Sequence, residues 1–264
     1  MPITHVDPAR RRELKLIALQ GIPEVERGSD ISRLLVAAVA QTGLRFESDD
    51  VVVIAQKIVS KAEGRAVRLS TVEPSPRALE LAHVVDKDPR LVELMLRESV
   101  DVLRAKRGVI ILEHRLGFVM ANAGIDQSNV PGSDNDDVAL LLPSDPDASA
   151  RHIRQSLRDA CGIDVGVVIN DSFGRAWRNG VTGVAIGVAG IPALVDLRGQ
   201  TDREGRVLQV TQIAAADELA AAASLVMGQA DEGCPGVLAR GFPYARRDSS
   251  ASELVRPRAE DLFR

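Results

Sequence analysis

The stretch Val165-Gly166-Val167-Val168-Ile169-Asn170-Asp171-Ser172-Phe173-Gly174-Arg175 sets the reading of the whole chain. Its first five residues are apolar and rich in β-branched side chains, the composition of a buried strand. Polar residues take over where the apolar run stops, and reactive groups are commonly presented in such segments by a rigid scaffold. The same arrangement occurs upstream. Val51-Val52-Val53-Ile54-Ala55 follows Asp49-Asp50, reads as a second buried strand, and runs into Gln56-Lys57-Ile58-Val59-Ser60-Lys61-Ala62-Glu63-Gly64.

Outward from these strands, segments of strand and helix character alternate. Residues 14–21 read as a short strand ending in the turn Gly21-Ile22-Pro23. Residues 30–42 place Ile31, Leu34, Leu35, Ala38 and Val39 on one helical face behind Asp30 as a cap. Residues 76–103 are helix-rich, broken near Asp88-Pro89. Strands are predicted at 109–113 and 116–121 around His114-Arg115, then at 139–142 and 237–240. Helices are predicted at 146–161, opened by Asp145-Pro146, and at 214–227. Residues 122–137 are polar, rich in Gly, Asn and Asp, and carry no hydrophobic period. A loop that long in a compact domain is functional or mobile. The alternation predicts an α/β or α+β fold of enzyme type.

Composition narrows the function. The chain has 264 residues, 45% hydrophobic and 27% charged, as expected of a globular protein with a substantial core. Lys plus Arg is 33 against 37 Asp plus Glu, a net charge of -4, so no basic field favours a nucleic-acid partner. Aromatic residues make up 3%, too few for a base-stacking platform. Two cysteines, Cys161 and Cys234, exclude a thiolate zinc cluster and argue against a disulfide framework. No apolar run approaches the roughly 20 residues that cross a bilayer, and the N-terminus lacks an apolar signal core. The expected location is cytoplasmic, without a membrane partner.

Familiar motifs are missing. No two glycines are spaced as GxG, no glycine precedes a lysine, and neither HExxH nor GxSxG occurs. Any nucleotide chemistry must use another scaffold. Two polar segments remain as candidates: Asn122-Ala123-Gly124-Ile125-Asp126-Gln127-Ser128-Asn129, and Asn170 to Gly180 behind the strand quoted above. Each supplies one carboxylate flanked by amide or hydroxyl oxygens, so Asp126 and Asp171 could hold one hard cation between them. Turn or helix capping is the plainer role for either aspartate. Arg175 and Arg178 flank Trp177, the only tryptophan, and could clamp anionic oxygens; a surface ion pair beside a core tryptophan is the alternative. Lys61 could neutralise a phosphate, although lone lysines are usually solvated. The acidic cluster 134–137, the cysteines and the four histidines give no reason to prefer a functional role.

Five segments, in order, resemble the coenzyme F420-0:L-glutamate ligases, the gamma-glutamyl ligases of the deazaflavin coenzyme. They are Gly21-Ile22-Pro23-Glu24, Gln56 to Gly64, Ala123 to Asn129, Asn170 to Gly180, and Ala214-Ala215-Ala216-Asp217-Glu218 leading into Met227-Gly228-Gln229. Any one is weak; five in order across 21–241 are specific. The resemblance implies an α+β fold of two interleaved lobes with mixed sheets flanked by helices, usually a homodimer. It implies a single catalytic domain over 1–245, with a lobe boundary placed near Leu142 and a polar C-terminal tail over 246–264.

It also implies GTP-dependent amide ligation with two divalent ions, Mn²⁺ or Mg²⁺, and a monovalent cation, K⁺. The substrates would be a deazaflavin acceptor of the F420-0 type, L-glutamate and GTP. Carried onto this chain, Asp126 and Asp171 would ligate one ion, and Ser172 with Gln229 the other. Ile22, Pro23, Glu24, Val25, Gln56, Lys57, Lys61, Asn129 and the stretch from Met227, Gly228 and Gln229 to Cys234 would contact the nucleotide. Lys61, Arg175 and Arg178 would supply positive charge to the reaction. Ser172 stands where many members have threonine, and Gln56 where some have serine. Some members carry a fused nitroreductase-like domain; a chain ending at Arg264 is expected to lack that activity. Two other readings stay open: a metal-dependent phosphohydrolase or phosphotransferase on the same aspartates, and a non-catalytic GTP-binding protein.

Overall fold

In the computed structural model, which describes residues 13–127 and 138–262, a central sheet of five strands carries the molecule. Their order is β1 (Lys15–Ala18), β12 (Gly236–Arg240), β2 (Val51–Ala55), β8 (Gly166–Arg175) and β9 (Arg178–Ala189). Only β2 and β8 run parallel. The other pairs are antiparallel, so the sheet is mixed. Strand periodicity divides its side chains between two cores. Val52, Ile54, Val167, Ile169 and Leu238 pack with Leu35 of helix α1 (Ile31–Gln41) and with Ile153 and Leu157 of α5 (Pro146–Cys161). Val51, Val53, Val168, Val237 and Ala239 pack instead with Leu219, Ala220 and Ala223 of α6 (Ala215–Met227). Burial on both faces explains why β2 is uninterrupted hydrophobic sequence.

The helices begin where the sequence signals them. Asp30 and Asp145 accept from the third backbone N–H beyond them, and Gly162 closes α5 in the left-handed region. Helix α2 (Gln56–Ala62) starts directly at the end of β2 with no side-chain cap.

Between α2 and α5 the chain builds a second body with its own core. Helices α3 (Pro76–Val85) and α4 (Pro89–Arg97) accompany the three-stranded sheet β4 (Ser99–Lys106), β5 (Val109–His114), β6 (Val119–Ala121). The pair β3 (Ala66–Arg68) and β7 (Val138–Leu140) closes it. Leu81, Val85, Val92, Met95, Ile110, Leu112 and Leu141 form this core, whereas Leu142 already belongs to the main one. Arg65 spans the junction, donating from Nε to the Leu142 carbonyl at 2.8 Å and from Nη2 to Glu98 at 2.9 Å. A small ladder, β10 (Val195–Asp196) with β11 (Gln212–Ile213), lies apart.

β9 is the outer strand, and two helix N-termini cover it. Asp147 in the first turn of α5 accepts from the Val188 N–H at 2.8 Å. Asp217 in the first turn of α6 accepts from the Ala185 N–H at 2.9 Å. Burial pushes both carboxyls above the ordinary range. Gly183 lets α6 approach closely: a methyl there would overlap the Ser224 hydroxyl and the Ala220 carbonyl.

The α+β expectation holds, with corrections to the local reading. Residues 99–106, partly read within a helix-rich segment, form β4, because β4 exposes much of both faces and carries no clean alternation. Residues 170–180, a polar segment in the sequence, are the arms and turn of the β8–β9 hairpin. Their side chains are mostly exposed, so the polar composition reflects solvent on the arm. Trp177 sits at the hairpin turn with φ 57° and is 83% exposed, so it is not a core residue. Within the predicted long loop, Asn122–Gly124 forms a 3-10 turn and 128–137 lie outside the described residues. Beyond residue 245, Ala251 is buried and its N–H donates to Asp147, while Arg246 pairs with Asp49 and Asp164. Among the described residues Cys161 and Cys234 are both free, and no helix is long and apolar enough to cross a membrane.

Candidate functional site

The candidate site lies where the parallel strands β2 and β8 end together, Ala55 opposite Asn170. Carboxyl ends of parallel strands are where open α/β sheets place their ligands. Beyond that line, β2 turns into α2 and β8 continues into the hairpin arm. Strand alternation sorts the side chains of β8. Asn170 faces α6, its amide donating to Ser224 Oγ at 3.0 Å. Asp171 projects the other way, into the electrostatic field of Lys57 and Asp126. Ser172 returns to the α6 side and donates to Gln229 Oε1 at 2.8 Å. Of the candidate ligands named by the resemblance, Asp171 thus lies in the electrostatic field of Asp126, and Ser172 is hydrogen-bonded to Gln229.

Asp126 comes from the second body. The turn before it holds Asn122 and Ala123 at φ 54° and 53°, a costly backbone for residues other than glycine. Asp126 is then fixed by reciprocal backbone bonds with Leu140, at 3.0 and 2.7 Å. Its carboxylate meets the Lys57 ammonium at 2.6 Å. Asp171 is half-buried and hemmed in by protein. Burial pushes its carboxyl up to about 6. The Ser172 N–H and Lys57 oppose that rise, and the Asp126 charge adds to it.

The other residues named by the resemblance surround this cluster unevenly. Lys61 is largely buried and pairs with Glu24, on the loop after β1. Val25 is buried in the main core, and Ile22 packs against it, so a ligand would meet Val25 through its main chain. Pro23 is exposed. Gln56 is buried and donates to Ser60 Oγ at 2.7 Å. Met227 is buried at the end of α6, Gly228 follows with φ 75°, and the buried Cys234 thiol reaches the Gly236 carbonyl. Arg175 and Arg178 face each other across the hairpin turn, both exposed. Arg175 is four residues beyond Asp171, about 13 Å further along an extended strand, towards the tip of the hairpin. Asn129 lies outside the described residues.

The site includes two residues that sequence reading passed over. Asn170 ties β8 to α6 from inside the core, and its Oδ1 is buried without a hydrogen-bond partner. Ser224 receives that tie. The signal was available in the period of β8, which puts residue 170 on the face of residue 168.

A family model for F420-0:Gamma-glutamyl ligase matches residues 21–241. The chain belongs to this family. Several curated relatives span nearly its whole length, each called a Coenzyme F420:L-glutamate ligase. That of Methanothermobacter thermautotrophicus is 48% identical, covering 95% of this chain and 99% of the relative. That of Methanopyrus kandleri is 44% identical over 95% and 99%. That of Methanocaldococcus jannaschii is 40% identical over 96% and 98%. This F420-0:gamma-glutamyl ligase family member is thus an enzyme of ligase type, and the matched range contains Asp126, Asp171, Ser172 and Gln229.

Those donors are carboxylate, hydroxyl and amide oxygens, the ligands of hard divalent cations. Among the described residues no group of three or more His, Cys, Asp or Glu side chains gathers as a metal cage. A cation between Asp126 and Asp171 would therefore complete its shell with water or phosphate oxygens, as Mg²⁺ and Mn²⁺ do. The carboxylate pair, with the Lys57 ammonium beside Asp126, fits such an ion.

Proposed function

We propose that this chain joins L-glutamate to the terminal carboxylate of an F420-0-type deazaflavin, using GTP. The observation that carries this reading is the meeting of Asp126, Lys57 and Asp171 at the strand ends, beside Ser172 and Gln229, within a chain of this family.

A free carboxylate resists amide formation because its leaving group would be oxide. In the proposed reaction an acceptor carboxylate oxygen attacks the γ-phosphorus of GTP and expels GDP, leaving an acyl phosphate. The neutral amine of glutamate then attacks the acyl carbon, phosphate departs, and the amine gives up its proton. The protein's work is positioning and charge neutralisation, with little covalent chemistry of its own.

Asp126 and Asp171 would hold one divalent ion, Mn²⁺ or Mg²⁺, and Ser172 with Gln229 would serve a second. Such ions neutralise phosphate charge and polarise the phosphoryl group. A monovalent cation, K⁺, would assist. Lys61 lies next to the 22–25 loop through Glu24, the arrangement expected where a lysine meets phosphates on a nucleotide loop. Arg175 and Arg178, on the projecting arm, would act on substrate reaching that arm. The working form is a cytoplasmic homodimer, with neither nucleic acid nor membrane as partner.

The test is mass spectrometry of the deazaflavin acceptor after incubation with protein, GTP, Mn²⁺ and L-glutamate, omitting each component in turn. Increments of one glutamyl residue that need all four components support the reading and count the additions. GDP release with an unchanged acceptor would replace it by a phosphohydrolase, and nucleotide binding without turnover by a GTP-binding protein.

A further inference from the structure

Lys57 occupies an unusual position. It is the second residue of α2, half-buried, and its ammonium is 2.6 Å from Asp126 Oδ2. It also lies in the field of Asp171, whose carboxylate is crowded by the like charge of Asp126. The two aspartates belong to different bodies, Asp171 to the central sheet and Asp126 to the body built between α2 and α5. Without a cation between them they would repel across that junction. Lys57 is well placed to compensate, because α2 starts directly at the end of β2, and β2 is hydrogen-bonded to β8. Lys61, one turn further along the same helix, pairs with Glu24, so the two lysines serve different acids.

We propose that Lys57 is a positioning residue that stands in for the divalent cation. Its ammonium holds Asp126 and Asp171 together while the site is free of metal, and it competes with the incoming ion for Asp126. The inference rests on the metal assignment above. It adds that the metal-free site is kept closed by a displaceable positive charge, and that metal affinity is set below what the bare carboxylates would give. A lysine suits this role better than an arginine: its compact ammonium on a flexible stem has no bidentate geometry to lose on leaving.

The experiment measures Mn²⁺ binding calorimetrically, without nucleotide, for the full-length protein and for Lys57→Met, Lys57→Arg and Asp171→Asn. Lys57→Met should bind Mn²⁺ about tenfold more tightly, since a competing charge within a few ångströms is gone. Its metal-free form should melt earlier than wild type, and saturating Mn²⁺ should remove the difference. Lys57→Arg should return the affinity to the wild-type side. The sign is decisive, because a purely structural lysine would weaken metal binding when removed. Unchanged or weaker Mn²⁺ binding by Lys57→Met, with Asp171→Asn abolishing it, would overturn the role of Lys57 alone. Binding that survives Asp171→Asn, or no Mn²⁺ binding by the wild type, would overturn the metal assignment and this inference with it.

Discussion

Replacing Asp171 with asparagine should stabilise the metal-free protein while ending its chemistry. The Asp171 carboxyl is pushed from an ordinary 3.8 up to about 6, first by burial and further by Asp126. That difference corresponds to about 3 kcal/mol. The sign follows from proton binding. Between pH 3.8 and about 6 the folded state holds a proton that the unfolded chain has released, so stability falls as pH rises through this window. Above it the whole penalty is present. Asparagine keeps the shape and an acceptor for the Ser172 N–H but carries no charge, at a cost of about 1 kcal/mol for its weaker bonds. The net gain of about 2 kcal/mol should raise Tm by roughly 5 °C in a chain of this size near pH 8. The assay is thermal unfolding of both proteins in chelator across pH 4 to 8, with glutamyl addition measured in parallel. The gap should close toward pH 4, and ligation should fall at least ~100-fold. A variant less stable at pH 8, or a gap indifferent to pH, would refute the crowded-carboxylate account. Retained ligation would refute the metal assignment.

Two other perturbations probe the scaffold. Burial alone would raise the Glu98 carboxyl, but His114, Arg65 and Arg115 together hold it at about 2. That depression from 4.5 supplies about 3 kcal/mol that is fully present above pH 4.5 and lost as pH falls through about 2. Glu98→Gln should therefore lower the urea midpoint at pH 7 and differ little from wild type near pH 2. Gly183→Ala places a methyl against the Ser224 hydroxyl and the Ala220 carbonyl. Pushing α6 outward should cost about 1–3 kcal/mol by calorimetry and slow glutamyl addition, because Gln229 follows that helix.

The sequence was most legible where one physical signal acted alone. Helix α5 was predicted at 146–161 and observed at Pro146–Cys161, since Asp145, Pro146 and Gly162 punctuate both ends. β2 was plain because both its faces are buried. The hairpin arm could not be read as a strand because most of its side chains face solvent, which erases the alternation that marks a half-buried strand. At the site, the resemblance named Asp126, Asp171, Ser172 and Gln229; the structure puts Asp171 in the field of Asp126 and hydrogen-bonds Ser172 to Gln229. Spacing could not show that Lys57 belongs to Asp126 and Lys61 to Glu24, because both lysines lie on one short helix and their acids arrive from distant segments. Asn170 escaped notice because a polar residue inside a core is identified by its partners, here Ser224 and Met227, 54 and 57 residues away.

The two carboxylates over β9 also decide what the sheet cannot do. An outermost strand normally offers a row of free N–H and C=O groups to any extended segment that drifts past, and so invites strand addition and fibrous aggregation. Here the N–H groups of Ala185 and Val188 are already engaged by Asp217 and Asp147. An arriving chain would have to displace two buried acids belonging to two different helices, and would find their negative charge instead of donors. The ladder therefore stops at β9 even though its hydrophobic sequence would support another member. The protection covers the part of β9 that lies between the two helices, the part whose apolar sequence would otherwise recruit another strand.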